Sequence, residues 1–320
     1  MPSEFDLIRK YFERAPRQAR PGADSARGVA LGIGDDAALL RPSAGMELAV
    51  STDLLLEGRH FRAGADPRKL GHKALAVNLS DLAAMGAAPR WAMLAISLPA
   101  ADEAWLAAFA EGFFALAERF GVELVGGDTT RGPLSLCVTI LGEVPAGLAL
   151  FRAGAGPGDD IWASGELGGA ALGLARPEIA AAVRRLDEPE PRVELGERLR
   201  GIASAAIDVS DGFAQDLGHI LERSGVGAIV EYELLPQPVD VRSIQDKKLQ
   251  SRLVLSGGDD YELVFTAPQG FRADITALSS ELKVALSRVG SIQVGEPRLL
   301  VLDSQGRPMA PGHGFDHFQP

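Results

Sequence analysis

Cysteine is nearly absent from this chain: among its 320 residues only Cys137 carries a thiol, so no disulfide can form within it. Cys137 sits in the apolar run LSLCVTIL, where it reads as a small buried hydrophobe and not as a reactive group. Cationic residues are in deficit too, 32 Lys and Arg against 43 Asp and Glu, for a net charge of −11. That balance excludes non-specific nucleic-acid binding, which draws on Lys and Arg patches. The most apolar stretch, Leu82 to Ala101, is broken by Pro89, Arg90 and Pro99, which excludes a membrane span. The opening segment MPSEFDLIRKYFERAPRQAR is charged from Glu4 onward and has neither the apolar core nor the cleavage pattern of a signal peptide, so the cytoplasm is the expected compartment. No Gly-Lys-Ser/Thr occurs, hence no Walker phosphate loop. Zinc-ligand, hydrolytic-triad and EF-hand spacings are missing as well.

What the chain does contain is aspartate beside Gly, Ser or Thr, again and again: GIGDDA (Gly32 to Ala37), STD (Ser51 to Asp53), NLSDLAAMGA (Asn78 to Ala87), GGDTT ending at Thr130, DVSDG (Asp208 to Gly212) and SGGDDYEL (Ser256 to Leu263). Any one of these reads first as a turn, the commonest use of that pairing. Their recurrence after apolar runs shifts the balance. Asp53, Asp128 and Asp208 are expected at the C-terminal ends of strands, the edge where α/β folds collect ligands. Carboxylates gathered together raise each other's pKa unless a cation compensates them. Mg²⁺ takes carboxylate and hydroxyl oxygens and commonly arrives with a polyphosphate, so a metal–nucleotide site is the expectation. GIGDDA also fits the loose dinucleotide pattern Gly-x-Gly-x-x-Ala, but Asp35 and Asp36 would oppose a pyrophosphate and ALLRP is too short for the required helix. Asp81 and Asn78, three positions apart, share one side of an otherwise apolar helix, which favours a buried metal-facing role for Asp81. His60, in EGRHF, has no partner at a catalytic spacing and by itself reads as a surface or structural histidine.

The length favours two domains over one, and the boundary is expected near residue 150, where RAGAGPGDD supplies turn chemistry: residues 1–150 and 151–320. Ser3 with Asp6 opens a first helix, and a loop is expected from Pro16 to Gly28. Short strands are expected at Val29 to Ile33, Ala37 to Leu40 and Leu48 to Ser51. Helices are expected from Pro67 to Met85 and from Asp102 to Phe120, stopped by Gly86 and Gly121, with a strand at Trp91 to Leu98. In the second half, strands IWAS, SAAIDV, GAIVEY and YELVFT alternate with an Ala-rich helical region ending near Leu186 and a helix from Phe213 to Ser224. Strands alternating with helices in both halves make the fold class α/β, with two layered α/β domains.

The ordered set EFDLI, GIGDDAALL, STDLLLEGRHF, KALAVNLSDLAAMGAAPRW, GGDTTRGPLS, RAGAGPGD, AIDVSDGFAQDLGHI, LSGGDDYEL and the closing DHF resembles the thiamine-monophosphate kinase family over nearly the whole chain. That family belongs to the aminoimidazole-ribonucleotide-synthetase-like ATP-binding superfamily. The resemblance implies two α/β domains, the N-terminal one carrying a mixed sheet that forms a barrel in a homodimer, and the C-terminal one completing the active site. It implies transfer of the ATP γ-phosphoryl group to thiamine monophosphate, with several Mg²⁺ ions. Carried over by motif, Asp36, Ser51, Thr52, Asp53, Asp81, Asp128, Asp208 and Asp211 would be Mg²⁺ ligands. Gly127, Asp128, Arg152 and Ser210 would contact ATP, and His60, Asp259 and Phe315 would face the thiamine substrate. No residue is dedicated to proton transfer. Asp259 stands where the family usually carries Glu, one methylene longer. Two alternatives remain open: another ATP-using member of the superfamily, phosphorylating an amide or a selenide, and a non-catalytic divalent-metal-binding protein. Selenide chemistry is disfavoured by the lack of cysteine before Gly32.

Overall fold

The computed structural model of the chain describes residues 3–13, 28–312, 314 and 315. Most of the loop expected from Pro16 to Gly28 and the closing DHF lie outside the described residues. The chain divides into two compact units, one of Met1–Leu82 with Ala87–Gly147, the other of Ala83–Gly86 with Leu148–Pro320. Among the described residues no helix is long and apolar enough to cross a membrane.

The first unit begins with α1 (Glu4–Leu7). Its start is fixed by a reciprocal cap in which the Ser3 amide donates to the Asp6 carboxylate at 3.0 Å and the Asp6 amide donates to Ser3 Oγ at 3.2 Å. A small hairpin of β1 (Val29–Leu31) and β2 (Leu39–Leu40) follows. The strand β2, and no helix, comes after GIGDDA, so the dinucleotide reading fails on structure as it did on charge.

The main sheet contains β3 (Met46–Leu56), β4 (Ala88–Leu98), β5 (Glu123–Arg131) and β6 (Ser135–Pro145), in the order β3-β6-β4-β5. Only the β4/β5 pair is parallel. Helices α2 (Pro67–Ala84) and α3 (Glu103–Phe120) supply the buried apolar side chains of the unit, among them Leu75, Leu79, Phe109 and Phe113. Asp102 caps α3 by accepting the amides of Ala104 and Trp105 at 3.0 and 3.1 Å, and Gly121, at φ 69°, ends it. The two helix backbones touch through glycines: a Cβ on Gly71 would lie 2.1 Å from the Phe109 carbonyl oxygen, and one on Gly112 1.8 Å from that of Arg68.

Strand β3 is much longer than the four residues expected, because the alternation of Met46, Leu48, Val50, Leu54 and Leu56 carries it through the Ser-Thr-Asp motif. Two positional expectations are therefore corrected: Asp53 lies inside β3 and Asp128 inside β5, and only Asp208 ends its strand.

The second unit is built on a seven-stranded sheet of β7 (Asp160–Ser164), β8 (Ala205–Asp208), β9 (Gly227–Glu231), β10 (Leu263–Ala267), β11 (Leu286–Gln293), β12 (Leu299–Leu302) and β13 (Pro308–Met309), ordered β13-β12-β9-β11-β7-β10-β8. Its helices are α4 (Gly169–Ala175), α5 (Ala180–Asp187), α6 (Val193–Leu199), α7 (Phe213–Ser224), α8 (Val239–Arg242), α9 (Lys247–Ser256) and α10 (Arg272–Leu282). The Ala-rich region is two helices and not one, since Pro177 lies in the break between α4 and α5. The core strands β7, β8 and β10 are buried along their whole length, the polar Asp160, Ser164, Asp208 and Thr266 included. Phe213, Leu217, Ile220 and Leu221 of α7 pack into the same cluster as Ile207, Val264 and Val254.

Candidate active site

In the first unit, β3 and α2 bring together part of the expected ligand set. Ser51 Oγ donates to Asp81 Oδ2, and the Asp53 amide donates to Asn78 Oδ1 at 3.2 Å. Asn78 is itself fixed by donating from Nδ2 to the Ala74 carbonyl at 3.0 Å. Ser51 and Asp53 pair across the sheet with Ile140 and Val138, both buried, so they share the buried face of β6. Thr52 lies on the opposite face: its hydroxyl is 2.9 Å from that of Thr139. The side chain of Thr52 is thus apart from the Ser51, Asp53 and Asp81 group. Asp53 also acts on Cys137, whose thiol is pushed up by burial and then by the Asp53 charge, in keeping with an inert thiol. His60 follows β3, and its Nδ1 accepts the Leu56 amide at 2.9 Å. In the neutral ring this leaves Nε2 as the N–H donor.

Two expected ligands of this unit are not in that group. Asp36 lies in the exposed turn after β1, where its amide donates to Asp35 Oδ1 at 3.0 Å. Asp128 is on β5, at the opposite edge of the sheet from β3. Gly127 beside it, at φ 150°, would place a Cβ 1.8 Å from the Leu94 carbonyl oxygen, so only glycine allows β5 to approach β4 there.

The second unit gathers its candidates around one loop. After β8 ends at Asp208, the carbonyls of Val209, Ser210 and Asp211 accept, in turn, the amides of Tyr261 at 2.9 Å, Asp259 at 2.9 Å and Phe315 at 3.0 Å. The amides of Ser210, Asp211 and Gly212 all donate to Asp216 Oδ2 at 3.1 Å. Both polar edges of the loop are thereby satisfied, and five expected site residues, Asp208, Ser210, Asp211, Asp259 and Phe315, are set by one short stretch of backbone. Burial, and next the charge of Asp211, push the Asp216 carboxyl up to about 7. Asp259 and Tyr261 both have left-handed backbone, at φ 66° and 50°, and Tyr261 Oη donates to Asp259 Oδ1 at 3.0 Å. Asp tolerates that conformation better than most residues, a local reason for an Asp at position 259.

Neighbouring carboxylates that look alike in sequence do structural work. Asp260 accepts the amides of Gly168 and Ala170 at 2.6 and 3.2 Å, and burial pushes its carboxyl up to about 8. Glu262 is held by Ser164 Oγ at 2.5 Å and by a bidentate Arg192, with Nε and Nη2 at 2.7 and 2.5 Å. Arg192→Met leaves the Glu262 carboxylate buried and uncompensated, so the unfolding free energy is expected to fall by about 3 to 5 kcal/mol, measured by urea denaturation. Asp160 is buried against Arg272 and Arg288: burial pushes its carboxyl up, but the two guanidinium groups carry it below the usual carboxylate range.

Arg152 is exposed in the loop before β7. Ser224 Oγ staples that loop by accepting the amides of Gly154 and Ala155, each at 3.1 Å, and donating to the Arg152 carbonyl at 3.4 Å. Ser224 and Asp216 were not singled out from the sequence. The signal for Asp216 was there, an acidic residue in the first turn of a helix directly after a Ser-Asp-Gly loop; Ser224, at the far end of that helix, gave none.

Residues 34–144 match the model of the family described as AIR synthase related protein, N-terminal domain, which sets the class. The chain is 44% identical to the thiamine-monophosphate kinase of Salmonella typhimurium (strain LT2), over 98% of each chain. It is also similar to the crystal structure of the thiamine-monophosphate kinase of Stenotrophomonas maltophilia, with 46% identity, a TM-score of 0.83, and 89% of this chain and 93% of that one covered. A further solved structure, AaThiL complexed with AMPPCP and TMP, is 28% identical with a TM-score of 0.76, covering 87% of this chain and 89% of that one. The chain belongs to the thiamine-monophosphate kinase family.

Proposed function

We propose that this chain transfers the γ-phosphoryl group of ATP to thiamine monophosphate. A phosphate oxygen of the acceptor forms the new bond to the γ phosphorus as the bond to the β–γ bridging oxygen breaks, giving thiamine diphosphate and ADP. The observation that carries this reading is the Asp208–Gly212 loop, whose backbone holds Asp208, Ser210 and Asp211 together with Asp259 and the aromatic Phe315. The near full-length similarity to curated thiamine-monophosphate kinases supports it. Incubation with Mg-ATP and thiamine monophosphate is expected to yield thiamine diphosphate and ADP in equal amounts; ADP formed without thiamine diphosphate would overturn it.

The donors fit Mg²⁺. Ser51, Asp53 and Asp81 in the first unit, and Asp208 and Asp211 in the second, offer only oxygen donors. Oxygen donors of this kind suit a cation that keeps waters and takes phosphate oxygens as ligands. When bound, Mg²⁺ supplies neutralisation of the phosphate charges. Asp36 and Asp128 complete the assigned carboxylates, and Thr52 stays in the set only through its main-chain oxygen.

The remaining roles follow from side-chain chemistry. The acceptor phosphate is largely dianionic near neutral pH, so no general base is needed, and the chain's task is alignment. His60 offers Nε2–H and Asp259 a carboxylate to the thiamine substrate, and Phe315 offers a ring face to its cationic heterocycle. Gly127, Asp128 and Ser210 contact ATP, with the Arg152 guanidinium on its phosphate oxygens. Arg152→Met is expected to raise the KM for ATP about tenfold or more, the loss of a charged hydrogen bond, with the KM for thiamine monophosphate unchanged in steady-state assays.

The functional form is a homodimer built on the first unit. Among the described residues no strand pairs with the outer edge of β3, and the face it shares with β4 exposes Val50 at 58%, Leu54 at 51% and Met93 at 42%. A long apolar edge strand of this kind calls for a cover, and a second copy of the same sheet closing a barrel supplies one.

A further inference from the structure

We infer that Gln215 is a positioning residue that docks the C-terminal strap, described at Pro311, Gly312, Gly314 and Phe315, onto the Asp211 loop and so sets where Phe315 meets substrate. The inference rests on the reading of Phe315 as substrate-facing.

Gln215 lies in the first turn of α7. Its Nε2 donates both to the Asp211 carboxylate, at 3.3 Å, and to the Phe315 carbonyl, at 3.2 Å. The Phe315 amide returns to the Asp211 carbonyl at 3.0 Å. One side-chain amide therefore ties the strap to a residue assigned to metal binding. The fit is tight: a Cβ on Gly314 would lie 2.5 Å from Gln215 Oε1 and 2.8 Å from the Asp211 carbonyl oxygen. At the other end of the strap, Ser256 Oγ donates to the Pro311 carbonyl. Ser256 opens the SGGDD segment, so the strap is held at both ends by the segments that carry Asp211 and Asp259. Half of an aromatic stacking surface is useless if its backbone wanders, and strap order is what Gln215 adds.

Two readouts test this, one independent of activity. In hydrogen–deuterium exchange of the full chain without ligands, the peptide containing Gly314 and Phe315 is expected to exchange faster in Gln215→Ala and in Gly314→Ala than in wild type. In steady-state kinetics both variants should raise the KM for thiamine monophosphate about five- to tenfold, as loss of one hydrogen bond gives, while the KM for Mg-ATP stays within about twofold. Gln215→Glu keeps the size and removes the donor, so it should behave no better than Gln215→Ala; recovery of wild-type kinetics by Gln215→Glu would show that packing alone matters and overturn the assignment. Unchanged exchange in Gln215→Ala would overturn it as well. If exchange rises in Gln215→Ala but Phe315→Ala leaves the KM for thiamine monophosphate at the wild-type value, the docking role stands and the substrate-facing reading of Phe315 falls.

Discussion

Asp208→Asn is expected to lower kcat for thiamine diphosphate formation by about two to three orders of magnitude, the scale on which one preorganised electrostatic partner acts in other enzymes. The fold should survive. Asp208 is 4% exposed at the end of β8, and its backbone pairs with Leu263 in the sheet, a pairing that Asn preserves without a change in volume. What Asn removes is one negative charge beside Asp211, and charge is what holds a divalent cation against a triphosphate. The variant should consequently need more Mg²⁺ for its residual rate, seen as a rightward shift of the Mg²⁺ titration at fixed ATP. Thermal unfolding by circular dichroism separates this from misfolding. Wild-type turnover in a folded Asp208→Asn protein would remove Asp208 from the reaction and with it the template role of its loop.

Much of the fold was legible because its periodicities are local. Trp105, Phe109, Phe113 and Leu116 announce α3, Asp102 and Gly121 bound it, and the mainly apolar runs of β8 and β10 mark buried strands. Where sequence misled, the cause was also local. Reading Asp53 as a strand terminus ignored the alternation that resumes with Leu54 and Leu56, and so hid both the length of β3 and the fact that Thr52 faces away from Ser51 and Asp53. In DVSDG and SGGDDYEL the sequence shows five acidic residues of similar appearance, yet Asp260 and Glu262 hold structure. Only the partners in space, Gly168 and Ala170 for one and Arg192 for the other, tell them from Asp208, Asp211 and Asp259. The role of Gln215 depends on Phe315, 100 residues further along the chain, a separation that no motif spans.

The assigned ligands Asp53 and Asp128 pose a problem that one copy of the first unit does not solve. They lie on β3 and β5, the two edges of a four-stranded sheet, and three interstrand spacings put the strands about 14 Å apart. Carboxylates so separated cannot serve the same cation. In the proposed homodimer a second copy shortens this separation if the β5 edge of one sheet meets the β3 edge of the other, one of the two ways in which a two-fold pair of such sheets closes a barrel. The prediction is complementation: Asp53→Asn and Asp128→Asn proteins should each be nearly inactive alone, and after co-expression or subunit exchange about a quarter of wild-type activity should return, since random pairing makes half the dimers mixed and each mixed dimer has one intact site of two. Sedimentation of the separate variants should still show dimers, because neither substitution removes an apolar side chain from the face of Val50, Leu54 and Met93. Should the mixture of dimeric variants stay as inactive as its parents, Asp53 and Asp128 do not meet across copies, and Asp128 leaves the ligand set of Asp53.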